Sequence, residues 1–197
     1  MRPKAAAGCA PVGRGCAPRH RGAPSGLAAI VRSYRAQCER RALAELETFA
    51  AEPSLWSAVR RASFATAPDG KRYHHQRRLS TATLEAVHSM LQREPLAKCR
   101  SFHELHDMLR EAIGPVHGVG RLMIYDTALR LGAKLGLEPE RVYLHAGTRD
   151  GARNLGLDWR AESVEMKDLP MELHKLKARQ VEDILCIYKD RLMRGAA

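Results

Sequence analysis

Ile113-Gly114-Pro115-Val116-His117-Gly118-Val119-Gly120-Arg121 decides how this chain is read, because each side of it carries its own helix signals. Upstream, Ser101-Phe102-His103-Glu104 has the capping-box spacing of a serine followed three residues later by a glutamate. Phe102, Leu105, Leu109 and Ile113 then recur on one helical face, and Gly114-Pro115 stops the helix. Downstream, Gly120 to Leu135 reads as a second helix, closed by Gly136 as its left-handed C-terminal residue. The turn between them has the pattern apolar–x–Gly–apolar–Gly in Val116, His117, Gly118, Val119 and Gly120. Gly118 accepts positive φ, Gly120 leaves no side chain at a helix start, and Val116 and Val119 plug the turn between the two helices. A helix start offers unpaired N–H groups and a partial positive charge, which suits a phosphodiester.

With these offsets, residues 101–135 resemble the helix-hairpin-helix family, which grips the DNA backbone without reading sequence. The resemblance implies that the backbone of Gly118, Val119 and Gly120 contacts phosphate, with Arg121 reinforcing the contact. One position departs from the pattern: four residues after the second glycine the family places a small residue, and Ile124 stands here, with Thr127 and Ala128 a turn later. The competing reading of the residues is a plain corner between two helices, with glycines for geometry only. The family includes base-excision glycosylases, which implies a catalytic aspartate some twenty residues downstream of the hairpin. His145 occupies that neighbourhood, and Arg121-Leu122 stands where a lysine nucleophile follows the hairpin. Arginine stays protonated and cannot be that nucleophile. The scaffold is thus glycosylase-like without the matching catalytic residues. Tyr125-Asp126-Thr127-Ala128-Leu129-Arg130 and Tyr143-Leu144-His145-Ala146-Gly147-Thr148-Arg149 also resemble stretches of bacterial proteins of unassigned function, which implies a bacterial source and says nothing about activity.

Working outward, Leu27, Ile30, Val31, Tyr34, Cys38, Leu43 and Leu46 predict one long amphipathic helix over roughly 26–51. Pro53 opens a shorter helix with Trp56, Val59 and Phe64 on one face, and Pro68-Asp69-Gly70 is a turn. Lys71-Arg72-Tyr73-His74-His75-Gln76-Arg77-Arg78 is a dense cationic run, and Ser80 or Thr81 caps a helix carrying Leu84, Val87, His88 and Leu91. Val142-Tyr143-Leu144 is strand-like but too short to found a sheet. Thr148 or Asp150 caps a short helix ending at Gly156, residues 157–169 are irregular, and a last amphipathic helix starts at Lys177. The sum is an all-α chain: a basic disordered tail over 1–25 and a single helical domain over 26–197.

Composition bounds the function. The 197 residues are 45% hydrophobic, enough for one core, with no stretch approaching the ~20 apolar residues of a membrane span. Lys and Arg number 33 against 22 acids, a net charge of +11, of which Arg2, Lys4, Arg14, Arg19 and Arg21 of the tail supply five. Such a surplus points to a polyanionic partner. The 5% aromatic content argues against single-strand recognition by stacking. Cys9, Cys16, Cys38, Cys99 and Cys186 form no CxxC pair, so reduced thiols in a cytoplasmic protein are expected. Cys99, His103 and His106 have a helical spacing, but Ser101 caps the helix between them and a fourth ligand is lacking, so no metal or other cofactor is expected. Weak catalytic candidates are His145, Arg149, Asp126 and Asp150; residues 145–151 also read as a second phosphate site or as a capped helix start. Tyr125 and Asp126 can serve proton transfer, or Asp126 can pair with Arg130 four residues on. The expectation is a sequence-nonspecific binder of duplex DNA, using Gly118, Val119, Gly120, Arg121, Lys71, Arg72, Arg77 and Arg78. The alternatives are a glycosylase-like or nuclease-like enzyme around His145 and an RNA- or protein-interaction module.

Overall fold

Helices dominate the computed structural model, which describes residues 26–192; the expected basic tail lies outside the described residues. In chain order they are α1 (Leu27–Tyr34), α2 (Arg40–Ala50), α3 (Leu55–Ser63), α4 (Thr81–Leu91), α5 (Phe102–Ile113), α6 (Arg121–Leu135), α7 (Ala146–Leu155) and α8 (Ala178–Ile187). Strands β1 (Arg141–Tyr143) and β2 (Ser163–Glu165) pair antiparallel, with Val142 opposite Val164. Among the described residues no helix is long and apolar enough to cross a membrane. Contacts gather into two units: a helical unit, Arg40–Glu140, and a mixed unit formed by residues 26–39 and 141–192.

In the helical unit α6 is central and packs on α2, α3 and α5. Its residues Met123 to Ala128 are buried in unbroken succession, so a helix in this position cannot show a clean amphipathic stripe. Phe49, Val59, Leu84, Val87, Leu91, Phe102, Leu105, Leu109 and Ile113 complete the core. Three helix starts are capped by serine: the hydroxyls of Ser54, Ser80 and Ser101 accept from the N–H groups of Ser57, Thr83 and Glu104 at 3.0–3.1 Å. Ser54 caps α3, which places Pro53 outside the helix rather than in its first turn. The capping box at Ser101 is half made, because the Glu104 carboxylate accepts from the N–H of Arg100 instead. The expected helix over 26–51 is interrupted by a π-helical turn at Arg35–Glu39. One extra residue in a turn rotates every later side chain, so beyond it Phe49 faces the core and Leu43 is exposed. Trp56 is likewise exposed, not part of a buried face with Val59.

In the mixed unit α8 lies against α7, α1 and β1. The last helix is amphipathic as expected, but its polar face is enclosed too: every residue from Ala178 to Cys186 is buried, including Arg179, Gln180, Glu182 and Asp183. The polar side chains are tied down from other elements. Tyr34 donates to Asp183 at 2.7 Å, His145 pairs with Glu182 at 2.6 Å, and Gln180 donates to Glu39. Strand β2 corrects the irregular reading of 157–169; three residues carry too little alternation to mark a strand whose partner is distant. Helix α7 begins at His145, not at Thr148 or Asp150. Leu144 donates to Glu162 beside the strand pair, which carries the chain straight into the helix, and Thr148 accepts from the His145 N–H at 2.7 Å. Cys38, buried, and Cys99, half-buried, are free thiols.

The contact between α7 and α8 depends on Gly151. A β-carbon there would sit 2.1 Å from the carbonyl oxygen of Leu185. Alanine favours a helix over glycine by about 1 kcal/mol, but here the clash is with backbone, and overpacking of that kind costs about 1–3 kcal/mol or more. Gly151→Ala should therefore destabilise the protein, read as a lowered urea midpoint; a raised midpoint would show that α7 and α8 are not this close.

Candidate nucleic-acid interface

The segment 114–120 joining α5 to α6 is built by local hydrogen bonds. Gly114, Val116 and Val119 donate to the carbonyls of Arg110, Ile113 and Val116, each at 3.0 Å. Gly118 takes φ +87°, as its place in the turn requires, and Gly120 is the N-cap of α6 in extended conformation, φ −116°. Val116 and Val119 are half-buried, and His117, Gly118, Gly120 and Arg121 are exposed. Gly120, as the N-cap, has no side chain with which to cap the first N–H groups of α6. Ile124 reaches back over the end of α5, its Cδ1 3.8 Å from where a β-carbon on Gly114 would lie, and Thr127 and Ala128 are fully buried a turn later.

This turn leans on the start of α4. Thr83 donates to the carbonyl of His117 at 3.2 Å, and the Leu79 side chain lies 3.6 Å from the β-carbon position of Gly118. Leu79 directly follows the cationic run, so 71–78 and 114–121 are neighbours on the helical unit. Within the run the side chains divide. Lys71, Arg77 and Arg78 are exposed, Lys71 with Asp69 3.6 Å away, whereas Arg72 is half-buried and donates to the carbonyl of Leu79 at 2.7 Å. Arg72 thus braces its own loop. Gln76 turns fully inward, a placement the cationic reading missed, and donates to Asp126 at 2.6 Å.

Beneath the loop lies a buried polar cluster. Arg130 on α6, 4% exposed, lies 3.5 Å from Glu45 and 3.9 Å from Asp126, with its guanidinium 4.0 Å over the Tyr73 ring. The Asp126–Arg130 spacing of four was legible; Glu45, Tyr73 and Gln76 carried no signal. Burial pushes the Glu45 carboxyl up, against the opposing pull of Arg130, and pushes Tyr73 up to about 12, with Glu45 adding to the effect.

The weak catalytic candidates are each engaged elsewhere. Asp126 belongs to the cluster just described. His145, Arg149 and Asp150 share the start of α7 in the mixed unit but have separate partners. His145 is 2% exposed and holds Glu182. Arg149 donates to the carbonyls of Leu144 and Ala161, and Asp150 pairs with Arg153 and Lys189. Among the described residues no group of three His, Cys, Asp or Glu side chains is placed to hold a metal; His103 and His106 instead lie beside Asp107.

Two outcomes follow from the buried pairs. A carboxyl raised in the folded state contributes stability that is full below the unfolded value and is lost as pH climbs through the folded one. The stability of the wild type relative to Glu45→Gln should accordingly fall as pH rises above 4.5, measured by urea titration at a series of pH values; a difference that grows with pH would contradict it. Glu182→Ala leaves His145 buried without its partner and should cost about 3–5 kcal/mol of stability in the same assay. No protein-family model, curated protein or solved structure matches the chain.

Proposed function

We propose that the protein binds the sugar-phosphate backbone of duplex DNA without reading sequence, through residues 118–121 and the exposed arginines Arg77 and Arg78. The observation that carries this reading is Gly120. Its extended backbone is open to any residue, and a β-carbon on it would meet nothing within 4 Å. Neither φ nor packing demands a glycine there, although glycine serves as a helix N-cap. A backbone phosphate approaching the uncapped start of a 15-residue helix demands one, since it needs the space that a side chain would take. Arg121 stands beside that opening, and contact of Leu79 with the turn adds the charge of 71–78 to the same neighbourhood. The resemblance to the helix-hairpin-helix family and the net charge of +11 favour the same partner, and a bacterial source goes with that resemblance.

Fluorescence anisotropy with two unrelated duplexes over a range of salt tests the reading. Both duplexes should bind alike, with affinity falling steeply as salt rises. Arg77→Ala with Arg78→Ala should weaken both equally and flatten the salt slope by roughly 1–2. Gly120→Ala should weaken binding in a protein that stays folded at the assay temperature, at a modest cost in stability for alanine at a helix N-cap. Strong sequence preference, indifference to salt, tighter binding to RNA, or full affinity in Gly120→Ala would each overturn it.

A further inference from the structure

A second feature of the helical unit is a cleft of about 650 Å³ between α3 and the turn 66–72, lined by Glu52, Ser57, Arg60, Arg61, Phe64, Thr66, Gly70 and Arg72. That volume is within the range of small-molecule sites. The arginines differ in what they are free to do. Arg61 is saturated: its guanidinium donates to Glu52 at 2.8 Å, to the Thr48 hydroxyl at 2.7 Å and to the carbonyls of Thr48 and Thr66 at 3.1 Å, and stacks 4.1 Å over Phe49. It also neutralises Glu52, the one acid of the lining. Arg60 and Arg72 make no ion pair with a described residue; Arg72 donates one N–H to the neutral carbonyl of Leu79. Arg60 and Arg72 thus both line the cleft without an acidic partner among the described residues. Ser57 and Thr66 add polar groups, and Phe64, its ring centre 5.4 Å from that of His88, supplies an apolar surface beside them.

We propose that this cleft binds a phosphomonoester carried on a planar body, the chemistry of a nucleoside monophosphate. Two guanidinium groups around one anion match a doubly charged phosphate better than a singly charged carboxylate, since each can form a charge-assisted pair of hydrogen bonds. Phe64 is the aromatic residue of the lining, the surface that a base would use. The same chemistry comes from a free nucleotide or from the phosphorylated end of a nucleic-acid strand. The cleft does not involve the 118–121 turn, so the proposal does not rest on backbone binding there.

Isothermal titration of the full chain with adenosine monophosphate, adenosine and inorganic phosphate provides the test. The monophosphate should bind, and adenosine should bind at least tenfold more weakly. Arg60→Gln, at an exposed side chain that braces nothing, should weaken the monophosphate about tenfold; Arg72→Gln should do the same where the loop survives its loss. Phe64→Leu should weaken the monophosphate and leave inorganic phosphate unchanged. Gly120→Ala should leave all three unchanged, which separates this site from the turn. Competition by a 5′-phosphorylated oligonucleotide, but not by its unphosphorylated form, would assign the ligand to strand ends; absence of competition would assign it to free nucleotide. No binding of the monophosphate at millimolar concentration, equal binding of adenosine, or full affinity in Arg60→Gln overturns the proposal.

Discussion

Arg130 is a guanidinium buried on the central helix of the helical unit, and much of that unit is arranged around its charge. Moving an ion out of water costs several kcal/mol, which only close partners offset. Glu45 comes from α2, Asp126 from one turn back on α6, and Tyr73 offers its ring from the cationic loop. Gln76 then holds Asp126 from the same loop. These contacts anchor 71–78 at its middle, so Tyr73 and Gln76 point in and Arg77 and Arg78 point out. A run of eight polar residues becomes an oriented surface because a buried charge beneath it requires two of them.

The same need shapes the mixed unit. Glu182 and Asp183 on α8 are enclosed with the hydrophobic residues around them, and each meets a donor from elsewhere in the chain, His145 and Tyr34. His145 has a further task as the residue that starts α7. An imidazole with both duties and 2% exposure reads as a fastening between α7 and α8. The polar density of 145–151, read from the sequence as a possible site, is used up internally: Thr148 closes the helix start and Arg149 pins the chain at Ala161.

The proposed contacts lie instead where polar or open positions have no evident internal partner. Gly120 is a glycine that no positive φ requires, and Arg60 is an arginine without an acidic partner among the described residues. Both stand out only after partners are assigned to the residues around them. The turn containing Gly120 was legible beforehand, because glycines, valines and flanking helices all sit within nine residues. The cleft was not, since its walls come from α3 and from a turn whose residues look alike in sequence.

What the sequence determined by itself is the set of features governed by a few consecutive residues. Serine caps at 80 and 101, the turn at 68–70, positive φ at Gly118, and the helix ends at Gly136 and Gly156 follow from local hydrogen bonding and backbone sterics. Only the tertiary structure decided which polar side chains are inside. Gln76 meets Asp126 across 50 residues and Tyr34 meets Asp183 across 149, distances over which no periodicity carries information. Strand β2, the exposure of Trp56 and Leu43, and the burial of α8 on all sides belong with these. Each depends on what another part of the chain places against it, because the cost of burying a polar or apolar group is set by its partner and not by its neighbours in sequence.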